Sequence, residues 1–154
     1  MKNIGLSIIG IVICAFSFQA CAGDDEAVDT EKPVIVLDSP TEHQAFLPGE
    51  SISLEAGFYD NLALGSYKIE IHIGEDGHTH KGMEEFGEWF YTKTGAIEPG
   101  LKSFEFLNTI EIPLTINGLP IEEGHYHLGI YLTDAAGNER QAFTEIVVGE
   151  DDGH

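Results

Sequence analysis

Basic residues are scarce in this sequence. Only 7 of the 154 residues are Lys or Arg, against 27 Asp or Glu, which gives a formal net charge of −20 at pH 7. A surface this acidic repels the phosphates of nucleic acids, so we expect no nucleic-acid partner. The same charge attracts cations and slightly favours metal binding, although acidic charge more commonly serves solubility.

Apolar runs long enough to span a membrane are also missing. The stretch from Ile4 to Phe18 is uncharged, but it is shorter than the roughly 20 residues that a membrane-spanning helix needs. It follows a basic Lys2 and is soon succeeded by acidic residues. This pattern predicts an export signal peptide over residues 1–20.

Cysteine is nearly absent, and its placement is informative. Cys14 lies in the export segment, so the mature chain keeps only Cys21 and forms no internal disulfide. Ala20 directly before Cys21, after the apolar run, resembles the lipobox of bacterial lipoproteins. The resemblance implies cleavage before Cys21 and lipid attachment to it. The alternative is an ordinary secretory peptide cut near Ala20 or Ala22.

Residues 21–32 are acidic and lack an apolar period, which predicts a flexible tether. An acidic run just after the predicted lipid-bearing Cys21 also resembles the surface-export signal of Bacteroidetes lipoproteins. These resemblances imply a cell-envelope protein, lipid-anchored to the outer membrane, with exposure at the cell surface as a further expectation. The folded domain is expected over residues 33–149, followed by an acidic tail over residues 150–154.

The domain is rich in period-two alternation of apolar and polar residues. It is clearest over residues 51–59, 67–73 and 125–133, and further strands are predicted at 34–37, near 89–92, at 103–116 and at 140–148. Residues 74–100 give the least clear pattern. About seven short strands with turn residues between them predict an all-β fold, an antiparallel β-sandwich.

Several short segments carry a resemblance to exported bacterial immunoglobulin-like domains. They are Pro33, the alternation of residues 51–59, Phe58-Tyr59-Asp60, Gly124-His125-Tyr126-His127 and Leu132-Thr133-Asp134-Ala135-Ala136-Gly137-Asn138. Tyr126 also suits a tyrosine corner. More narrowly, the chain resembles a family of uncharacterised Bacteroidetes lipoproteins with one such domain and histidines after the third strand and at the start of the sixth. That resemblance implies a fold and a location but no activity.

Five of the seven histidines fall in two places: His72, His78, His80, His125 and His127. In an immunoglobulin-like sandwich the third and sixth strands are neighbours, and the end of one lies beside the start of the other. His43 and His154 are expected at the same end of the sandwich. The pattern predicts a metal site there, whereas a lone outward histidine would indicate only solvated surface.

The available ligands favour zinc. The mature chain offers no free thiolate beyond Cys21 and one thioether, Met83, so a Cu(I) site is not expected. Imidazole ligands suit zinc first, with copper(II) or nickel possible. Glu70, Glu75 and Asp76 are candidate carboxylate partners of the histidines.

Three classes of function stay open from the sequence. The favoured one is a lipid-anchored protein that binds a metal at the end of the domain away from the membrane. The alternatives are a metal-independent surface adhesion or assembly module and, less favoured, a metalloenzyme. A β-sandwich with His-x-His on a strand loosely resembles copper-zinc superoxide dismutase, but the disulfide and the bridging-histidine segment are missing. A zinc hydrolase would need an open metal position and a base such as Glu70 or Glu75, and the usual nucleophile and nucleotide-binding motifs are absent.

The opposite end of the predicted sandwich carries oxygen ligands. Asp60, Asn61, Asp134 and Asn138 could hold calcium, but no stretch matches a twelve-residue calcium loop. Asp and Asn in tight turns usually stabilise the turn itself. We favour turn geometry as the role of these residues.

Overall fold

The structure is a computed structural model that describes residues 28–74 and 85–150. The predicted signal peptide, Cys21, His78 and His80 lie outside the described residues. Among the residues described, no helix is long and apolar enough to cross a membrane.

The described residues form strands joined by turns. In chain order the strands are β1 (Val34–Ser39), β2 (Gln44–Phe46), β3 (Ser51–Tyr59), β4 (Leu64–Ile73), β5 (Tyr91–Ala96), β6 (Ser103–Glu111), β7 (Thr115–Ile116), β8 (Leu119–Pro120), β9 (Gly124–Asp134) and β10 (Glu139–Val148). Strands β1, β3 and β6 form one sheet, and β2, β10, β9, β4 and β5 form the other, with β7 and β8 paired separately. Every pairing is antiparallel except that of β2 with β10. The predicted immunoglobulin-like antiparallel β-sandwich is confirmed.

Alternation along the strands creates the core between the two sheets. On β3, Ile52, Leu54 and Phe58 are fully buried, whereas the intervening polar side chains of residues 51, 53 and 55 are exposed. On β9, Leu128 and Ile130 are likewise fully buried. Because successive side chains point to opposite faces of a sheet, the residues between them face outwards. The inward faces predicted for β3, β4 and β9 are those observed.

Tyr126 forms the predicted tyrosine corner. Its hydroxyl donates to the backbone carbonyl of Glu122 at 2.6 Å, and its ring packs against Trp89 with centroids 5.6 Å apart. Burial and the nearby negative charge of Glu122 raise the pKa of Tyr126 to about 12. The phenol is therefore neutral and holds the start of β9 against the chain that leads into it.

Two strands differ from their predicted bounds. Strand β5 begins at Tyr91 and not near residue 89, because Trp89 lies before the pairing with β4 and is buried against Tyr126. Strand β6 ends at Glu111, before Pro113, which cannot donate a ladder hydrogen bond. Within β6, Asn108 does not interrupt the strand. Its amide bridges the edges of the two sheets by contacting Lys93 Nζ at 2.5 Å and the Tyr91 hydroxyl at 3.2 Å.

Replacing Tyr126 with Phe removes only the corner hydrogen bond and leaves the Glu122 carbonyl without this donor. We expect the free energy of unfolding to fall by about 1–2 kcal/mol, measured by urea denaturation at pH 7. Tyr59→Phe is the matched control, since Tyr59 is 40% exposed and its hydroxyl donates to the side chain of Glu105 at 3.3 Å. Equal losses in the two variants would contradict a special role for the corner.

Candidate metal centre

The histidines of β4 and β9 meet at one end of the five-stranded sheet. His72 lies directly opposite His127 in the antiparallel register, and their ring centroids are 5.5 Å apart. His125 lies two residues before His127, so its side chain projects from the same outer face. The structure thus brings together the three predicted metal-site histidines that it describes.

Glu145 completes a row across three strands. It lies opposite His127 on the other side of β9, and its side chain is only 16% exposed. Its Oε1 accepts a hydrogen bond from His125 Nδ1 at 2.5 Å, while Oε2 lies 3.6 Å from His127 Nε2. An ionised carboxylate only accepts hydrogen bonds, so this contact places a proton on His125 Nδ1. In the metal-free protein that leaves Nε2 as the unprotonated nitrogen of a neutral His125 ring. An ion bound by both Nδ1 and Glu145 would take the place of the proton on Nδ1.

His43 reaches the same carboxylate from the loop before β2. Its Nδ1 lies 2.9 Å from Glu145 Oε1, and its backbone N–H donates to the Glu145 carbonyl oxygen at 2.8 Å. The backbone of His43 is left-handed, with φ of 57°, a conformation that is uncommon for non-Gly residues but more frequent for His, Asn and Asp than for others. A hydrogen bond of 2.7 Å from the Thr144 hydroxyl to Glu42 also ties this loop to β10. The loop is therefore fixed to β10 on both sides of His43.

The cluster keeps Glu145 ionised. The hydrogen bond from His125 lowers the pKa of Glu145, and the burial of the carboxyl opposes this, while His125, His43 and His127 lower the pKa further when they are protonated. A negative carboxylate beside three imidazoles is an electrostatic arrangement that suits a divalent cation.

The donor atoms are close enough to share one ion. One ligand atom each from His43, His125 and Glu145 lie within 4.8 Å of one another. Imidazole nitrogen and carboxylate oxygen both bind zinc, at about 2.0–2.2 Å. His72 donates from Nδ1 towards the Ile73 carbonyl at 3.1 Å, which leaves its Nε2 as the metal-binding nitrogen.

Two members of the cluster were not singled out from the sequence. Glu145 was not among the predicted site residues. Its outward position on the last predicted strand, which neighbours the strand of His125 and His127, was the signal that could have identified it. His43 was placed at this end but not in the site. Glu70, a predicted carboxylate partner of the histidines, contacts Lys68 on its own strand and lies opposite Gly129. Its role beside the histidines stays a prediction. Glu75 and Asp76 fall outside the described residues.

Gly74 is the last described residue before the segment that carries His78 and His80. Its N–H donates to the His125 carbonyl at 2.8 Å, and a Cβ at this position would lie 3.3 Å from His127 Nε2. The absence of a side chain at Gly74 thus leaves room for the His127 ring. His78 and His80 follow four and six residues later, and their membership of the site stays a prediction.

The N-terminal segment joins the sandwich at the end opposite the histidines. Val34 pairs with Tyr59, the last residue of β3. The Pro33 carbonyl accepts a hydrogen bond from Arg140 Nε at 3.4 Å, close to the turn between β9 and β10. The two ends of the domain therefore carry different groups: the chain entry at one, the histidines at the other.

The lowered pKa of Glu145 predicts how stability depends on pH. Because the pKa of this carboxyl is lower in the folded protein, its contribution is present above the unfolded value, about 4.3, and is lost as pH falls through the folded value. We expect wild type to exceed Glu145→Gln in free energy of unfolding at pH 5.5 and the difference to close by pH 3, measured by urea denaturation in EDTA. Glu139→Gln, exposed at the far end of the same strand, is the control and should follow wild type. If the free energies of unfolding of wild type and Glu145→Gln changed in parallel with pH, this pH dependence would not come from Glu145.

Comparison with known proteins gives a family but no activity. Among solved structures, the chain is similar to a fibronectin(III)-like module of CbhA from Clostridium thermocellum, with 16% identity, a TM-score of 0.42, and coverage of 75% of this chain and 94% of that one. It is also similar to Spo0M, a sporulation control protein from Bacillus subtilis, with 19% identity, a TM-score of 0.40, and coverage of 78% of this chain and 49% of that one. These low scores carry no argument about function. None of the curated proteins matches the sequence. The profile of a domain of unknown function, DUF4625, matches residues 19–149, and the chain therefore belongs to this family.

Proposed function

We propose that the protein is an exported, lipid-anchored β-sandwich that binds a transition metal ion, zinc before others, through the histidine cluster at the end of the domain away from the membrane. The observation that carries the proposal is the convergence of His43, His125 and Glu145, whose ligand atoms lie within 4.8 Å of one another. His127 lies against the same carboxylate, and His72 lies against His127.

A fourth ligand is available beside these three. Zinc sites are usually four-coordinate and tetrahedral. His127 Nε2 lies 3.6 Å from Glu145 Oε2, so small side-chain rotations bring it to an ion held by that carboxylate. Tight metal sites also need partners that orient their imidazoles. Glu145 does this for His125 whether or not the carboxylate itself touches the ion.

The exposure of the ligands favours exchange of the metal over a purely structural role. The side chains of His43, His125 and His127 are 61%, 37% and 44% exposed. Structural zinc sites are generally closed to solvent and fully ligated by the protein. A rim of half-exposed imidazoles on a mostly buried carboxylate suits capture or transfer of an ion at the surface. Copper(II) and nickel are the competing ions, because imidazole-rich sites bind them as well.

The proposed orientation of the metal centre relative to the membrane depends on where the chain enters the domain. A lipid on Cys21 would hold the protein to the membrane through residues 22–33. Those residues lead to β1 at the end opposite the histidines, since Val34 pairs with Tyr59. The metal centre would then face away from the bilayer, where ions and partner proteins can reach it.

Zinc binding tests the proposal directly. Calorimetry on the metal-free full-length chain should give one tightly bound zinc at pH 7 and weaker binding at pH 5.5, because imidazole binds metals only when its ligand nitrogen is unprotonated. Replacing both His125 and His127 with Ala should abolish tight binding. His43→Ala should weaken it at least about tenfold, a loss typical of removing a metal-site partner.

Glu139→Gln is the control for these variants and should bind zinc as wild type does. Absence of saturable binding, or equal binding by the double histidine variant, would overturn the metal proposal. The domain would then be better described as a metal-independent surface adhesion or assembly module.

The anchor is tested separately. Cys21→Ala should move the protein from the membrane fraction to the soluble fraction of the producing cells, since the variant lacks the residue that carries the lipid. Mass spectrometry of wild type should find the acyl chains on an N-terminal Cys21. An unmodified N-terminus near residue 20 or 22 would indicate an ordinary secretory peptide instead.

A further inference from the structure

Three carboxylates converge at the end of the sandwich opposite the histidines. One oxygen each from Asp29, Asp60 and Asp134 lie within 4.8 Å of one another. Asp60 directly follows β3, Asp134 is the last residue of β9, and Asp29 comes from the segment that precedes β1. The cluster therefore joins two loops of the domain to the incoming chain.

Turn geometry, as predicted, accounts for part of this arrangement. Asp60 Oδ1 accepts hydrogen bonds from the backbone N–H groups of Leu62 and Ala63, at 2.9 and 2.7 Å. Asp134 accepts from the backbone N–H and the side-chain amide of Asn138, both at 2.7 Å. Such contacts are the ordinary reason for Asp in tight turns.

The second oxygen of Asp60 has no such explanation. Asp60 Oδ2 has less than 1 Å² of exposed surface and no hydrogen-bond partner among residues 28–74 and 85–150. A buried carboxylate oxygen without a partner is rare, because it loses its hydration and gains nothing in return. In a group of converging carboxylates, such an oxygen is a candidate ligand for a cation.

The position of Asp29 gives the same indication. Asn61 donates from its side chain to Asp29 Oδ1 at 3.2 Å, and Asn138 donates to the Asp29 carbonyl at 3.1 Å. The two loop asparagines thus hold a third carboxylate beside two others, where like charges repel. Within residues 28–74 and 85–150, no Lys, Arg or His nitrogen lies within 4.0 Å of these three carboxylates.

Two basic groups at this end of the domain are directed to backbone carbonyls. Lys102 Nζ donates to the Asn61 backbone carbonyl at 2.8 Å, and Arg140 Nε donates to the Pro33 carbonyl at 3.4 Å. Asp134 also remains ionised. Burial alone would raise the pKa of this carboxyl, but hydrogen bonds from Asn138, Gly137 and Ala136 hold it below its ordinary value. The cluster is therefore negative and lacks a compensating cation among the described residues.

We infer that Asp29, Asp60 and Asp134 bind a calcium ion. Oxygen-only ligands select hard cations over zinc or copper. Calcium accepts six to eight oxygens at about 2.3–2.6 Å in irregular geometry, and water or backbone carbonyls complete its shell. Magnesium demands near-ideal octahedral geometry and usually keeps several waters, so a cluster of three carboxylates suits calcium better.

The ion would link the N-terminal segment to the domain. Asp29 lies outside the strands, and its described contacts to the domain are the two asparagine hydrogen bonds. Calcium shared with Asp60 and Asp134 adds a charged link at the same place. It would fix the direction in which the chain leaves the sandwich, and hence the orientation of the domain relative to whatever precedes residue 28.

Calcium titration of the EDTA-treated full-length protein by calorimetry tests the inference. We expect one calcium per chain, a higher thermal midpoint with calcium, and at least tenfold weaker binding of magnesium. Asp60→Asn and Asp29→Asn should each weaken calcium binding at least tenfold. Asp29→Asn is the safer variant because the residue lies outside the strands and the core. Asp38→Asn, an exposed carboxylate on β1, is the control and should bind as wild type does.

Two further measurements locate the ion. Calcium should slow cleavage after the exposed Glu31 by a Glu-specific protease in wild type but not in Asp29→Asn. The variant lacking His125 and His127 should keep calcium binding, so that this site and the zinc site fail independently. The inference is overturned if no saturable calcium binding occurs up to millimolar concentration, if Asp29→Asn and Asp60→Asn bind normally, or if the loss of the histidines abolishes binding. Equal affinity for magnesium would overturn the assignment to calcium.

Discussion

The register of β9 between β4 and β10 is the constraint on which the rest of the structure depends. It places His127 between His72 on one neighbouring strand and Glu145 on the other. The same register buries Tyr126 and Leu128 in the core. A shift of one residue would exchange the two faces, bringing imidazoles into the core and apolar side chains to solvent. The hydrophobic core therefore fixes the geometry of the candidate metal centre.

Tyr126 connects the core to this site. It lies between His125 and His127 in the chain but points inward, where its hydroxyl reaches the Glu122 carbonyl. Its burial makes any displacement of the start of β9 costly, so the two flanking histidines are held on the outer face. The loop carrying His43 is fixed independently through β10. Ligands held by rigid elements in this way bind an ion with little loss of conformational freedom.

The two ends of the domain differ in ligand chemistry. In the part of the chain that the structure describes, one end offers imidazoles around the Glu145 carboxylate, and the other offers three carboxylates without imidazole. Proteins discriminate between metals chiefly through ligand type and geometry, so the ends should select different ions. On β9, His127 of one site and Asp134 of the other are seven residues apart, roughly 23 Å at the usual rise per residue. At that distance the two sites are expected to bind independently.

The sequence by itself determined the sandwich and the inward faces of β3, β4 and β9, because side-chain alternation is local and has a period of two. With the topology of that fold it also placed His72, His125 and His127 at one end. Only the tertiary structure identified Glu145 and His43 as their counterparts, and Asp29 as the counterpart of Asp60 and Asp134 at the other end. Inter-strand register and loop placement depend on packing between residues far apart in the chain. The late start of β5 has the same origin: Trp89 is apolar in sequence, but only its contact with Tyr126 removes it from the strand.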